Sequence, residues 1–241
     1  DGNNGTPDLR GKFVAGANAD FPQGTTGGQI EYQDSVFNRV PVLGFDGSND
    51  YVDIAPGVNP TTTFTFEGWV YPTSNRSSVD RILSYGRMTT TGAWFIAYRG
   101  SDDTALFRIA TSSGDVGLLF EGNIPKNQWT HLAGVHDGSR IKLYQDGALI
   151  GDRSSATFTV PSGEAISIAA RNDVADFFKG NLSDIRIWKT ARTQQQIQDN
   201  QNSRLIGNES GLVGYWRLDD AQGTVAKDSA GNNDGTLVNG P

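Results

Sequence analysis

Side chains carrying oxygen crowd together at three points of this chain, and oxygen is what hard cations bind. Asp46, Gly47, Ser48, Asn49 and Asp50 place carboxylate, hydroxyl and amide groups within five consecutive residues. Arg171, Asn172, Asp173, Val174, Ala175 and Asp176 repeat the mixture late in the chain. Asp228 to Asp234, with Asn232 and Asn233, gathers oxygens a third time. Ca²⁺ takes carboxylate, amide and backbone oxygens together in flexible geometry, and loops supply them readily. Asp, Asn, Ser and Gly also fill turns for conformational reasons alone, so each loop carries two readings. The expectation is one Ca²⁺ held by Asp46, Asn49 and Asp50 together with Asn172, Asp173 and Asp176. Without a cation, Asp50, Asp173 and Asp176 would repel at close range. The Asp228–Asp234 loop is the competing site.

A second group of side chains suits sugars. Trp and Tyr offer an apolar ring with a polar tip, and binding sites combine such rings with a few directed polar groups. Tyr85, Trp94 and Tyr98, with Trp69, are candidates for a ligand-binding face, and Arg171 joins them; the alternative is that these rings are core. Trp129, Trp188 and Trp216 are expected to be structural. Catalytic patterns are thin. Glycoside hydrolysis uses two carboxyl groups about 5–5.5 Å or 6.5–9.5 Å apart. A strand supplies these from alternate residues, and no E-x-D-x-x-E run occurs. Asp102 and Asp103 are adjacent, so a strand would point them to opposite faces; Asp219 and Asp220 are adjacent in the same way. His131 and His136 have no Ser nucleophile motif near them. The expectation is no enzyme, with a glycan hydrolase or a lyase as the minor alternative.

These loops need strands to hold them. Leu43 and Phe45 alternate with polar or small residues before the first loop, and Val52 and Ile54 after it, which is the period-two pattern of half-buried strands. Phe64–Val70 carries bulk on both faces, as a central strand does. Further strand signals fall at 81–85, 93–98, 105–110, 116–120, 129–135, 141–144, 148–150, 164–169, 182–188 and 211–218. Asp146-Gly147 marks a hairpin, because a primed turn needs positive φ. One helix is expected from Thr193, with Gln196 three residues on to complete a capping box. Ile197 would face a sheet, and the helix should end before Arg204. The tail from Asp219 to Gly240 reads as polar and turn-rich. Closely spaced strands with so little helix say an all-β, two-sheet antiparallel sandwich.

Composition narrows the function. The 241 residues carry a net charge of −7, which argues against nucleic acid as partner. Cysteine is absent, excluding disulfides, zinc–thiolate sites and thiol catalysis. No apolar run approaches the ~20 residues that cross a bilayer, so no membrane insertion is expected. No signal peptide precedes Asp1, which reads as a cytosolic, processed or excised chain. Residues 1–39 are rich in Gly, Asn and Thr and read as an extended N-terminal arm, with 40–241 as the sandwich domain.

Within the arm, Thr6 to Ala17, followed by Gly24, Gly27 and Gly28, resembles the tail-collar motif of phage tail fibres. That resemblance implies a homotrimer formed through the arm and a place on a tail-like particle. In the sandwich, Phe45 to Val52, Phe64 to Val70, Trp129 to Ala133, Leu143 to Gly147, Gly180 to Trp188 and Leu212 to Leu218 occur in order. Together they resemble the laminin-G-like jelly rolls of the concanavalin A-like lectin/glucanase superfamily. The resemblance implies one concave sheet and rim loops for Ca²⁺ and ligand. Its pentraxin branch binds Ca²⁺ between a loop like Ser48-Asn49-Asp50 and a late acidic loop. Here the late loop is shorter and lacks a Glu/Gln pair, so one cation is expected rather than two. The reading is a non-catalytic, Ca²⁺-binding, lectin-like module, extracellular or on a particle surface, for glycans or a glycoprotein receptor. The alternative is a structural or adhesive tip module of a tail-like fibre.

Overall fold

The structure is a computed structural model that describes residues 42–111, 114–155, 158–219 and 223–241, with backbone only for 114–120. The arm of residues 1–39, its tail-collar resemblance and the trimer it implies lie outside the described residues.

The described strands run β1 (Leu43–Asp46), β2 (Tyr51–Ile54), β3 (Phe64–Pro72), β4 (Val79–Tyr85) and β5 (Trp94–Arg99). Next come β6 (Thr104–Thr111), β7 (Gly114–Glu121), β8 (Thr130–His136), β9 (Arg140–Gln145) and β10 (Ala148–Ser154). Then follow β11 (Ile166–Ile168), β12 (Lys179–Trp188), α1 (Gln194–Asn200), β13 (Leu212–Trp216), β14 (Val225–Ala226) and β15 (Gly235–Val238). They form two antiparallel sheets. One has seven strands, ordered β1-β12-β3-β8-β9-β10 with β13 also paired to β12; the other has eight, ordered β14-β15-β2-β11-β4-β5-β6-β7. The sandwich expected from the strand pattern is what the chain adopts.

The turn at Asp46–Asp50 does more than reverse the chain. β1 pairs with β12 in the seven-stranded sheet, while β2 pairs with β11 and β15 in the other. The loop therefore carries the chain across the sandwich. Inner faces interdigitate between the sheets. Phe64 stacks on Trp94 at 4.8 Å between ring centres, and Phe66 meets Phe107 edge-on at 5.6 Å. Such pairs add about 0.5–1.5 kcal/mol each beyond the area they bury.

β3 is buried at every position because both of its faces are covered. Its inner face meets the other sheet, and α1 lies over its outer side. Thr193 caps α1: its Oγ1 accepts from Gln196 N at 3.2 Å, and Gln196 Oε1 accepts from Thr193 N at 2.9 Å. A helix this short has no stability of its own in water. Ile197 anchors it by packing on Ala133, Val135 and Tyr144. At the β9–β10 hairpin Asp146 and Gly147 have φ of 49° and 75°, the primed turn the dipeptide promised.

The C-terminal tail departs from its turn-rich reading. β15 adds to the eight-stranded sheet beside β2, with Leu237 opposite Val52. Four residues among Gly and Asn are too short to show a period of two.

Candidate functional site

The two sheets turn very different outer faces away from the core. On the seven-stranded sheet, α1 and the following segment form a roof, with Trp188, Leu205, Leu212 and Tyr215 packed together beneath it. Under the roof Glu67 is fully buried. Its Oε1 accepts from Trp188 Nε1 at 3.0 Å and from Arg186 Nη1 at 3.4 Å, with Arg192 Nη1 at 4.0 Å. Trp69, expected on a ligand face, sits here and donates from Nε1 to Gln201 O at 2.8 Å. The small cavity at this edge, about 180 Å³, is lined by Trp188, Arg192, Gln196, Glu209 and their neighbours. It falls short of the roughly 300–1,000 Å³ of ordinary ligand pockets.

No helix or strand among the described residues is layered on the other sheet's outer face. Ladder register sets a row across it: Thr236, Asp53, Ser167, Ser84, Phe95 and Arg108 lie on successive neighbouring strands. A bulge between Arg81 and Leu83 turns Arg81 onto the same face, opposite Ala97. Bulges re-aim side chains in this way. Phe95, Ala97 and Leu106 form an apolar floor edged by Val79 and Met88. The Arg81 guanidinium lies flat on the Phe95 ring, 3.3 Å from its centre.

Arg81 is held from one side only. Its Nε donates to Asp176 Oδ2 at 3.4 Å, and the same oxygen takes Arg171 Nη1 at 3.3 Å. Arg171 Nε is paired with Asp173. Arg81 Nη1 and Ser84 Oγ are buried with no hydrogen-bond partner. Burial pulls the Arg81 guanidinium down to about 10, with Arg171 and Arg108 adding in the same direction against Asp176. Unpartnered buried atoms of this kind also occur under the roof, at Glu67 Oε2, Arg186 Nε and Arg192 Nε.

The aromatic residues expected to bind ligand do not reach this face. Tyr85, Trp94 and Tyr98 are each 0% exposed and belong to the core between the sheets. Tyr85 stacks on Trp94 at 5.6 Å, and the Tyr98 hydroxyl donates to Asp103. The physical reason is register. Trp94, Ile96 and Tyr98 form the uniformly large row and face inward, whereas the alternate row, Phe95, Ala97 and Arg99, includes a small and a charged residue. Arg171, by contrast, stands at the face. Arg81 escaped the sequence reading; an arginine inside an otherwise apolar strand, Val79 to Tyr85, was its only signal.

The two acidic loops do come together, but a guanidinium joins them. Arg76 donates from Nη2 to Gly47 O at 2.6 Å and from Nη1 to Phe177 O at 3.3 Å. Its Nη1 also lies 3.7 Å from the buried Asp80. Asp50 Oδ2 accepts from Asp46 N at 3.0 Å, and Asp46 Oδ1 accepts from Ser48 N at 2.6 Å. Burial pushes the Asp50 carboxyl above its ordinary value. Asn172 Nδ2 donates to Ala165 O at 2.6 Å, Asn49 is exposed, and Asp173 and Asp176 are taken by arginines. As placed, these side chains do not fit a divalent cation. Among the described residues no three acidic or imidazole side chains converge as a metal site would need. The third loop does not fit either. The Asp228 carboxylate already accepts from Tyr215 N, Ala230 N, Asn233 N and Asn233 Nδ2 at 2.9–3.1 Å. Two oxygens have about four acceptor sites, so it is full.

The remaining titratable groups are structural where they are described. His131 is buried under the roof beside Trp69; burial, then Arg186 and Arg192, hold its imidazole down to about 3. His136 Nδ1 bonds Thr62 O, and burial lowers its value as well. Asp102 pairs with Arg99, Asp103 with Lys126, and Asp219 with Arg204. Asp220 lies outside the described residues.

Comparison with known proteins agrees with this architecture. Residues 46–198 match a laminin-G family model, that of the concanavalin A-like lectin/glucanases superfamily. A Bacteroides ovatus protein assigned to carbohydrate binding superposes with a TM-score of 0.64 at 20% identity, over 82% of this chain and 57% of that one. Domain 4 of a GH43 extracellular arabinanase from Geobacillus stearothermophilus, solved with arabinotriose, gives a TM-score of 0.55 at 21% identity, over 73% of this chain and 81% of that one. Mouse pappalysin-1 is 30% identical over 81 residues, 32% of this chain and 5% of that protein. The chain thus spans a small part of that curated relative and little more than half of the Bacteroides chain.

Proposed function

The chain belongs to the concanavalin A-like lectin/glucanase superfamily, and on that premise we propose that it is a non-catalytic carbohydrate-binding module. Its ligand site is placed at the rim of the eight-stranded sheet's outer face, where the exposed Arg171 and Asp173 adjoin the buried Arg81. One observation carries the reading: on that face a guanidinium is fixed on an aromatic ring while Arg81 Nη1 and the neighbouring Ser84 hydroxyl, both buried, lack partners. Sugar hydroxyls and ring oxygens supply the acceptors and donors such groups need. Leaving them unmet costs about 1–3 kcal/mol apiece, which a ligand would recover. The opposite face also holds unpartnered buried atoms, Glu67 Oε2, Arg186 Nε and Arg192 Nε, but the chain's own helix lies over them. The fold relatives assigned to carbohydrate binding and solved with arabinotriose support the reading. The proposed setting is outside the cell, where glycans are displayed, and no helix among the described residues is long and apolar enough to cross a membrane.

The test is a glycan array followed by titration calorimetry and NMR shift mapping on the whole chain. The expected result is saturable oligosaccharide binding, with the largest amide shifts in β4, β5 and the loop Arg171–Asp176. Shifts centred on α1 would move the site to the roofed face. An array with no bound glycan would overturn the function.

A further inference from the structure

We infer that the stacking platform of the sugar site is the ring pair Tyr51 and Phe177, with Asp53 as the acceptor beside it, and that it takes a neutral pyranose. The inference rests on the carbohydrate-binding reading and adds the rings and the class of sugar. The outer face is open at one side. Along the row that crosses it Thr236 and Asp53 are exposed, whereas Ser167, Ser84 and Phe95 are 4%, 2% and 1% exposed. A sugar therefore has its open approach at β2 and β15, beside the loop Arg171–Asp176.

Strand alternation puts two rings at that approach. Val52 and Ile54 are buried in the core, so Tyr51 and Asp53 stand on the outer face. Phe178 is core as well, and Phe177 before it turns outward. The rings of Tyr51 and Phe177 meet there, 6.3 Å between centres and tilted by 49°, and both residues are partly exposed. Backbone contacts hold Phe177 in place: it bridges to Arg81, and its carbonyl accepts from Arg76 Nη1 at 3.3 Å. Phe177 directly follows Asp176, so the platform continues the rim on which Arg171 and Asp173 are exposed. The Phe95 ring, by contrast, already lies under Arg81.

The polar groups beside the rings set the class of sugar. C–H groups of a sugar pack on ring faces, while its hydroxyls need directed partners. Asp53 stands two residues from Tyr51 on the same face, about 6.5–7 Å along the strand, with Thr236 opposite it on β15. Among the described residues the Asp53 carboxylate and the Tyr51 hydroxyl have no hydrogen-bond or ion-pair partner. An ionised carboxylate only accepts, so Asp53 suits the hydroxyl donors of a sugar. A uronic acid there would set a second negative charge beside Asp53, which opposes binding. Two rings tilted against each other hold one pyranose; a flat run of sugars would need them coplanar.

The experiment is calorimetric titration and NMR shift mapping of the whole chain with cellotriose, xylotriose and trigalacturonate. Equatorial hydroxyls leave C–H surface on both faces of the glucose and xylose rings. The expected result is saturable binding of the two neutral sugars, with the amides of Tyr51, Asp53, Phe177 and Thr236 shifting. Trigalacturonate should bind about tenfold more weakly, through repulsion by Asp53. Tyr51→Ala and Phe177→Ala should each weaken cellotriose binding about tenfold, the worth of one aromatic contact, while Tyr51→Phe keeps most of it. Asp53→Asn keeps the test open if a ring variant fails to fold: Asp53 is exposed, and losing its charge should narrow the neutral-over-acidic preference with the unfolding midpoint unchanged. Cellotriose binding that ignores the ring variants overturns the inference while leaving carbohydrate binding in place. So does trigalacturonate bound as tightly as cellotriose, or a glycan array that binds other sugars while neither neutral trisaccharide binds. No binding of any oligosaccharide overturns both.

Discussion

Among the described residues, the two arginines that lie nearest the centre of an aromatic ring sit one on each outer face of the sandwich, and their partners differ. Arg192 covers Trp188 at 3.8 Å beneath α1, and Arg81 covers Phe95 at 3.3 Å on the other sheet. Under the roof the charges have company. Glu67 is shared by Arg186, Arg192 and Trp188, while Asn200 O and Ser203 O accept from Arg186 and Gln196 O accepts from Arg192. On the far face Arg81 has one long contact to Asp176 and an unmet nitrogen. Neither shell is complete, since Glu67 Oε2, Arg186 Nε and Arg192 Nε are also buried without partners under the roof. The number of acceptors around each guanidinium, rather than residue type, separates the two faces.

The sharpest way to break that contrast is to remove the acid from each side. Glu67→Ala leaves two buried guanidinium groups without their counter-charge. Breaking a buried pair from one side costs about 3–5 kcal/mol, which denaturant midpoints will read. Asp176→Ala should cost less than that, because Asp176 is a quarter exposed, although it takes from the buried Arg81 its one counter-charge. Equal losses from the two variants would show that both faces are structural. Trp94→Ala belongs with the first class: it should cost about 3–5 kcal/mol as a core truncation. Loss of ligand binding with unchanged stability would put Trp94 back on the ligand face.

His131 sharpens the roofed side through pH. Its folded value lies near 3 against 6.5 for free imidazole. The unfolded chain therefore takes up a proton that the folded chain does not, and stability falls as pH drops from about 6.5 toward 3. One such proton gives a slope of about 1.4 kcal/mol per pH unit. His131→Phe should flatten that limb; an unaltered limb would assign the acid sensitivity to other groups. A smaller effect tests the helix that makes the roof. Thr193→Ala should lower stability by about 1 kcal/mol, the usual worth of an N-cap.

What could be read in the sequence follows from how local each signal is. Thr193 with Gln196, Asp146-Gly147 and the two-faced bulk of Phe64–Val70 act over a few residues, and each appears in the structure where it was expected. The ordered set of strand motifs carried the jelly roll for the same reason. Facing was not legible. Trp94, Ile96 and Tyr98 are the larger apolar row against Phe95, Ala97 and Arg99, but a ring in that row suits a ligand face as well as a core, and alternation does not say which of the two a row meets. Arg81 was not legible either, since it reaches the outer face through a bulge that no short window announces. The acidic loops were read as the two halves of one cation site; in the structure Arg76 spans Gly47 O in the first and Phe177 O beside the second.

That expectation yields the smallest effect and the cleanest test. A cation between Asp46–Asp50 and Asn172–Asp176 would have to displace Arg76, which spans Gly47 O and Phe177 O. It would also have to free Asp173 and Asp176 from Arg171 and Arg81. Each exchange gives up charge-assisted contacts already made. The expected shift between 1 mM calcium and excess chelator is therefore about 0.4 kcal/mol or less, the linkage limit for a site no tighter than about 1 mM. A shift near 2.7 kcal/mol would mean a site about a hundredfold tighter, and would show that these loops rearrange around calcium. Arg76→Ala separates the two cases. If the guanidinium holds the loops together, its loss lowers stability by about 0.5–1.5 kcal/mol per hydrogen bond. Removing it also takes away the positive charge that opposes a cation, so calcium should stabilise the variant more than the parent. A parent and a variant that respond alike to calcium would show that Arg76 does not stand in a cation's place.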